Sequence, residues 1–332
     1  MRAFGITRYG QTILEELAVA EPQLGPHDVL VDMRATSVNP LDLLIAKGEF
    51  KLVLPQKMPL VLGYDVAGIV LATGAAVTSW KAGDEVFARP GGHSTGTFAE
   101  HVLVRDEDLA AKPTNLTFAE AASLPLVSET AWQVFTEMTR VQPGTKVLVH
   151  GAAGGLGAVA AQLAVHLGAE VTATCSARDV DLVRGFGVQH VIDYRNEDFS
   201  AVVKGQEVVL ETVGGENQLK SLTVAAPGGT VVSVVGPPTS AFARQLRKPL
   251  LVPVMALLSH SVVGEAKKHG SNYQFCFMRA DGAQLGHLAG LMEQGVLKPR
   301  VGHTFTFDET PAAVSLVADK KARGKVVITR EG

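Results

Sequence analysis

The chain has 332 residues, 46% of them hydrophobic and 19% charged, enough to bury two cores rather than one. A net charge of −3 gives no electrostatic footprint for nucleic acid as a partner. Two cysteines, Cys175 and Cys276, permit at most one bridge, so a reduced, cytoplasmic setting is the economical expectation.

The first six residues read as a strand and lack the apolar core of a secretory signal. Up to about residue 120, short β-branched runs at 28–31, 67–71, 84–87 and 99–104 are separated by glycine and proline, which predicts a β-rich, barrel-like domain. Helical patterning covers 118–138. After Gln142-Pro143-Gly144 comes the most informative stretch, an apolar strand at 146–149 followed by His150-Gly151-Ala152-Ala153-Gly154-Gly155-Leu156-Gly157. Here Gly154 lets the backbone approach a pyrophosphate, Gly155 and Leu156 open a helix, and Gly157 lets that helix pack tightly on the strand before it. Apolar residues recur at 156, 159, 160, 163, 164 and 167, one buried helical face, and Gly168 is placed to end it. The run 147–169 carries no Asp, Glu, Lys or Arg, but its four early glycines in a turn motif argue for a buried strand, turn and helix rather than a membrane span.

Strands at 170–175, 190–194, 208–210 and 230–235 follow, with a short helix over 179–186, so an α/β doubly wound parallel sheet is expected. At the end of the second strand an acidic residue would hold the ribose of NAD. Cys175-Ser176-Ala177-Arg178 stands there instead, and a hydroxyl with a guanidinium suits the 2′-phosphate of NADP(H). Read alone, Arg178 is also an exposed helix-start residue, and Ser176 the N-cap region of the helix near Asp179. Past about residue 262 the chain is expected to leave the nucleotide domain, with a helix at 284–294 and a closing strand at 325–328. The expected division is 1–122, 123–262 and 263–332, without internal repeats.

The order of these parts resembles the medium-chain dehydrogenase/reductase superfamily. The resemblance rests on Ser37-Val38-Asn39-Pro40-Leu41-Asp42, Gly63-Tyr64-Asp65-Val66-Ala67-Gly68, Gly83-Asp84-Glu85-Val86, Thr97-Phe98-Ala99-Glu100, Thr130-Ala131, the glycine turn, Asp193-Tyr194 and Arg323-Gly324-Lys325-Val326-Val327. It implies a GroES-like catalytic domain interrupted by a Rossmann NADP-binding domain and completed by the C-terminal segment. Zinc-dependent alcohol dehydrogenases of the superfamily carry a cysteine near position 39, Gly-His-Glu near 63 and a lobe of four cysteines. This chain has Asn39-Pro40, Gly63-Tyr64-Asp65 and no cysteine before 175, so no metal site is expected. His93 and His101, near Glu100, are the only candidate clump in the first domain, and they read as polar residues of a loop and a strand.

Without a Lewis acid for an alkoxide, the resemblance points to the zinc-independent quinone oxidoreductase and enone reductase branch, with hydride passing from NADPH to a quinone or an α,β-unsaturated ketone or aldehyde. Hydrogen-bond donors must then meet the charge that develops on the acceptor oxygen. Asn39 and Tyr64, in the segments that replace the zinc ligands, are the expected catalytic donors; read alone, Asn39 orders a turn and Tyr64 lines the cleft. The resemblance has Asp42 position the loop beneath the nicotinamide and places Thr130 near the ribose or nicotinamide, Tyr194 at the 2′-phosphate or adenine, and Val235 and Gly236 at the end of a crevice strand. It also places Phe275 and Phe277 beside the nicotinamide and Lys325 at the diphosphate or a ribose. A homodimer and no membrane partner are expected. Two other readings stay open: a non-catalytic NADPH-binding redox sensor, and an enoyl-thioester reductase using Arg244, Arg247 and Lys248.

Overall fold

The structure is a computed structural model that describes residues 1–11, 13–91 and 96–331. It divides into two compact units, Met1–Glu129 with Arg279–Gly332, and Thr130–Met278.

The second unit is built on a six-stranded parallel sheet in the order His190–Asp193, Glu170–Cys175, Lys146–Val149, Gln206–Glu211, Ala225–Ser233 and Asn272–Phe275. The central strands are continuous apolar runs because both faces are covered: Val147, Leu148, Val149, Val209 and Leu210 have no exposed surface. The helix Gly155–His166 buries Ala158 through Ala164, and Gly168 follows it at φ 80°. A Cβ at Gly157 would run into the carbonyl of Gly151, so only glycine lets this helix sit against its own turn. The 179–186 segment is a short 3₁₀ turn, Ala177–Asp179, continued by the helix Val180–Arg184.

The expected boundary at 262 falls inside a helix of this unit. Val252–Lys268 turns Met255, Ser259, Val262 and Ala266 inward at steps of four and three, and Asn272–Phe275 adds the sixth strand. The four-residue strand, with Asn272 and Gln274 in it, carries too little apolar alternation to be read from sequence. By length and composition Pro249–Lys268 could cross a membrane, but its Met255 face packs into this unit. Leu250, Val254, Leu257 and Leu258 are left exposed.

The first unit combines a three-stranded sheet, Glu15–Ala18, Arg2–Ile6 and Leu60–Val61, with a seven-stranded one. In the latter, the strand Asp28–Val38 pairs with Val66–Thr73 and His101–Arg105, and near its end with Lys325–Thr329, which in turn joins Val301–Thr306. The remaining strands, Glu85–Ala88 and Leu109–Ala111, extend the other edge. Phe4, Ile6, Met33, Leu62, Phe98 and Ile328 form the core, so residues from both ends of the sequence make one hydrophobic cluster. The continuous helical pattern expected over 118–138 is broken into Phe118–Ala122, Pro125–Trp132 and a π-helical turn, Gln133–Met138. Pro125 supplies no amide for an unbroken helix. The division between units also falls in this region, between Glu129 and Thr130.

Gly157→Ala is expected to destabilise the second unit by about 2–3 kcal/mol, read as a lower urea midpoint, because the new methyl must displace backbone. An unchanged midpoint would mean that the helix tolerates a wider seat.

Candidate active site

In the second unit the glycine turn has the features that a dinucleotide pyrophosphate needs. Gly154 occupies the N-cap without a side-chain cap, and the first helical bond to be closed is from the Ala158 N–H to the Gly154 carbonyl. The amides of Gly155, Leu156 and Gly157 therefore precede the hydrogen-bond ladder and stand at the positive end of the helix dipole. A Cβ at Gly154 would meet only the Gly151 carbonyl, so the turn leaves space on that side.

The turn is held from beneath by His150. Ser221 Oγ donates to the Asn217 carbonyl (2.8 Å), so it accepts from His150 Nε2–H (3.0 Å). His150 Nδ1 then accepts from the Thr174 hydroxyl (3.1 Å), whose oxygen takes the Gly151 N–H (3.2 Å). This chain of donors is complete only with a neutral imidazole. Burial pushes His150 down to about 4, so it is neutral over the physiological range.

Strand register brings the expected 2′-phosphate residues together. Cys175 pairs with Asp193, so Ser176 and Tyr194 leave adjacent strands side by side, and the Tyr194 N–H donates to the Cys175 carbonyl (3.2 Å). Tyr194 is exposed, and the Arg195 guanidinium lies 6.0 Å from its ring centre. Arg195, a second cation at this spot, escaped the sequence reading; its position directly after the strand-end tyrosine was the available signal. Ser176 differs from expectation. It is 7% exposed and its hydroxyl donates to the Asp179 carboxylate (2.7 Å), which also sits 3.6 Å from Arg178 Nε.

Two more loops at the same end of the sheet are shaped by Glu211, another residue missed in the sequence. Its Oε1 accepts from the amides of Val213 and Gly214 (2.8 Å each), and its Oε2 from Ser233 Oγ (3.0 Å). Ser233 Oγ in turn accepts from Gly236 N–H (2.9 Å). The strand ends at Ser233, so Val235 and Gly236 lie in the following bend rather than at a strand end. The signal was a carboxylate closing an otherwise apolar strand just before Gly214-Gly215. Phe275 and Phe277 both stack on Phe242, at 5.4 and 4.9 Å between ring centres, and Thr130 is buried in its helix. Arg244 and Arg247 are exposed.

In the first unit the predicted donors separate into one that is committed and one that has no hydrogen-bond partner among the described residues. Asn39 is 1% exposed; its Nδ2 donates to Asp65 Oδ2 (2.7 Å) and its Oδ1 accepts from Lys325 Nζ (2.6 Å). Its amide is spent inside the fold, which corrects its expected role as an oxyanion donor. Lys325 is corrected likewise: its Nζ, beside Asp65 Oδ2 (3.1 Å) and buried, is occupied in this cluster rather than reaching for a diphosphate. Asp42 is fully buried and accepts from the amides of Asn39 (2.7 Å) and Gly63 (2.9 Å), so it shapes the loop and presents no surface to a cofactor. Burial raises it to about 7. Gly63, at φ 101° and with Thr97 and Phe98 where a Cβ would go, turns the chain so that Tyr64 follows. The Tyr64 hydroxyl has no hydrogen-bond partner among the described residues, and burial pushes it up to about 12.

His101 pairs with Glu21 (2.8 Å) and Glu100 accepts from the Arg2 amide (2.7 Å); His93 lies outside the described residues. Among the described residues no three or more His, Cys, Asp or Glu form a group able to hold a metal.

Residues 25–114 match the family described as the alcohol dehydrogenase GroES-like domain, and 186–328 the one described as zinc-binding dehydrogenase. Over 327 residues the chain is 33% identical to the NAD(P)H oxidoreductase RTN4IP1, mitochondrial, of Bos taurus, covering 91% of this chain and 82% of that protein. The chain belongs to the medium-chain dehydrogenase/reductase superfamily. Another superfamily relative, the 2-methylene-furan-3-one reductase of Solanum lycopersicum, is 33% identical over 99% of this chain and 79% of its own length. The quinone oxidoreductase structure from Coxiella burnetii matches with a TM-score of 0.86 at 27% identity, over 99% of each chain. The GroES-like and Rossmann-type parts expected from the motifs are those of the superfamily fold, and the chain is an oxidoreductase dependent on a nicotinamide cofactor.

The neutral His150 makes the second unit acid-sensitive. Its folded pKa lies below the ordinary value near 6.5, so its stabilising contribution is complete above about pH 6.5 and is lost as pH falls toward 4, on the order of 3 kcal/mol in all. Asp42 acts with the opposite sign in the first unit, so the readout must be local. Protection of the Lys146–Val149 amides against hydrogen exchange, taken relative to the intrinsic exchange rate at each pH, is expected to fall between pH 6.5 and 4 in the wild type and to change less in His150→Gln.

Proposed function

We propose that the chain is an NADPH-dependent reductase of quinones or of α,β-unsaturated ketones and aldehydes, and that it works without zinc. The observation that carries this reading is the Tyr64 hydroxyl, which has no hydrogen-bond partner among the described residues and is set in a loop whose Gly63 amide and Asp65 carboxylate are engaged. When bound, the nicotinamide supplies the hydride. Negative charge gathers on the acceptor oxygen as the hydride arrives, and a hydroxyl aimed at that oxygen stabilises the transition state more than the ground state. With its pKa pushed up to about 12, Tyr64 remains a protonated donor across the working range of pH. Asn39 acts through the backbone: with Asp42 and Asp65 it fixes the 63–65 loop and so the direction of Tyr64. Solvent delivers the remaining proton.

Freedom from zinc is supported by the donor set. Asp65, the acidic residue of the loop that carries a zinc ligand in zinc-dependent relatives, is consumed by Ser37, Asn39, Lys325 and the Leu126 amide, and no cysteine is near it in sequence. NADPH is favoured over NADH by the cationic and hydroxyl-bearing group of Arg178, Arg195, Tyr194 and Ser176, although Asp179 must yield Ser176 to the phosphate. A homodimer is supported by the sheet edge at Asn272–Phe275 and the exposed Leu250, Leu257 and Leu258 nearby in sequence. A reducing, cytoplasmic setting suits the two unbridged cysteines.

Titration of cofactor fluorescence should show tighter binding of NADPH than of NADH. Arg178→Ala is expected to weaken NADPH by about 1.5–3 kcal/mol and leave NADH nearly unchanged. Equal affinities in the wild type would remove the NADPH assignment.

Turnover should be followed with a quinone and a linear enone under saturating NADPH and a metal chelator. Tyr64→Phe is expected to lower kcat roughly tenfold to a thousandfold with little change in cofactor affinity, and the chelator to leave the wild-type rate intact. Full activity of Tyr64→Phe on every acceptor, or loss of activity with zinc, would overturn the corresponding part of the proposal.

A further inference from the structure

Arg89 lies in the first unit just past the strand Glu85–Ala88 and is 7% exposed. A buried guanidinium normally has a carboxylate or several carbonyl acceptors, because an uncompensated charge in a poorly solvated place is costly. Arg89 has neither. No described residue forms an ion pair or hydrogen bond with its side chain, and its Nε is fully buried without a partner. Its guanidinium carbon sits 5.4 Å from the centre of the Tyr64 ring, a cation–π contact that orients the group but gives Nε no acceptor.

Among the described residues, the neighbouring acids make no ion pair with it. Glu129 is fully buried; its Oε1 accepts from the Asp281 N–H (2.8 Å) and its Oε2 has no partner. Burial, only partly offset by the Asp281 amide and by Arg89, raises the Glu129 carboxyl well above the usual range. Burial thus favours the neutral form of this carboxyl over a counter-charge for Arg89. Asp108 is also raised by burial, and its Oδ2 accepts from the Gly91 N–H (2.8 Å). It feels Arg89 but makes no ion pair with it.

We propose that Arg89 is an anion-recognition residue, that it binds a carboxylate on the acceptor, and that the preferred acceptors are carboxylate-bearing enones or quinones. The inference rests on the reading of this chain as a reductase whose acceptor meets Tyr64. A transient oxyanion would not account for Arg89, which among the described residues has no ion-pair partner in the resting protein and so calls for a counter-charge in the ground state. Because Nε is enclosed, the ligand meets the two terminal nitrogens, whose paired N–H groups match the two oxygens of a planar carboxylate.

The test uses direct binding, without cofactor turnover. Benzoate and benzamide, alike in shape and different in charge, are titrated into the full-length protein by calorimetry. The wild type is expected to bind benzoate at least tenfold more tightly than benzamide, Arg89→Met to lose the preference, and Arg89→Lys to keep part of it. Equal binding of the two probes by the wild type would overturn the assignment even if the variants fail to fold, as would a preference that survives in Arg89→Met. A protein that reduces neutral enones but treats the two probes alike loses this inference and keeps the proposed function. One that discriminates through Arg89 but oxidises no NADPH with any acceptor does the reverse.

Discussion

The first unit depends on one buried carboxylate. Asp65 has no exposed surface, yet its two oxygens receive Ser37 Oγ (2.6 Å), Asn39 Nδ2 (2.7 Å), Lys325 Nζ (3.1 Å) and the Leu126 amide (2.7 Å). A charge taken this far from water is tolerable only when its partners are this complete. The four donors come from the end of a long strand, the turn after it, the start of a helix and the last strand, so satisfying Asp65 also fixes where those parts meet. The loop that carries Tyr64 inherits its position from that arrangement, with Asp42 holding the Gly63 amide from the other side.

The second unit uses buried polarity in a related way, to fix backbone rather than to react. Glu211 organises two loops at the end of the sheet, and His150 organises the glycine turn through Thr174. Each spends its side-chain valences on amides or hydroxyls of nearby strands, loops or helices. Such groups rigidify a site without appearing in it. Arg89 and Glu129 stand apart because their valences are not all spent.

What could be read in the sequence was what is local. The glycine turn, the alternation of strands and helices from 146 to 235, and the motifs at 37–42 and 63–68 each lie within a few residues, and periodicity or glycine spacing exposes them. What could not be read depends on distance along the chain. Asn39 looked like a donor because nothing in Val38-Asn39-Pro40 reveals that Lys325, 286 positions later, takes its oxygen. Lys325 looked cofactor-bound for the same reason. Arg89, before a proline at the end of a strand, belongs to no local motif, and only the structure shows that it is buried with its Nε unpartnered. Ser176 failed in a subtler way: Asp179 was visible three residues on, but whether it faced the hydroxyl was a matter of rotamer.

The interrupted layout of the first unit has a consequence on the ribosome. The nascent chain completes the second unit once Met278 has emerged, and that sheet needs nothing made later. The first unit, begun earlier, must wait for Lys325–Thr329. Until then the edge from Ala35 to Val38 is unpaired, and Asp65 lacks its cation. Translation therefore holds a half-finished sheet with an open edge beside a finished neighbour, the kind of intermediate on which chaperones act.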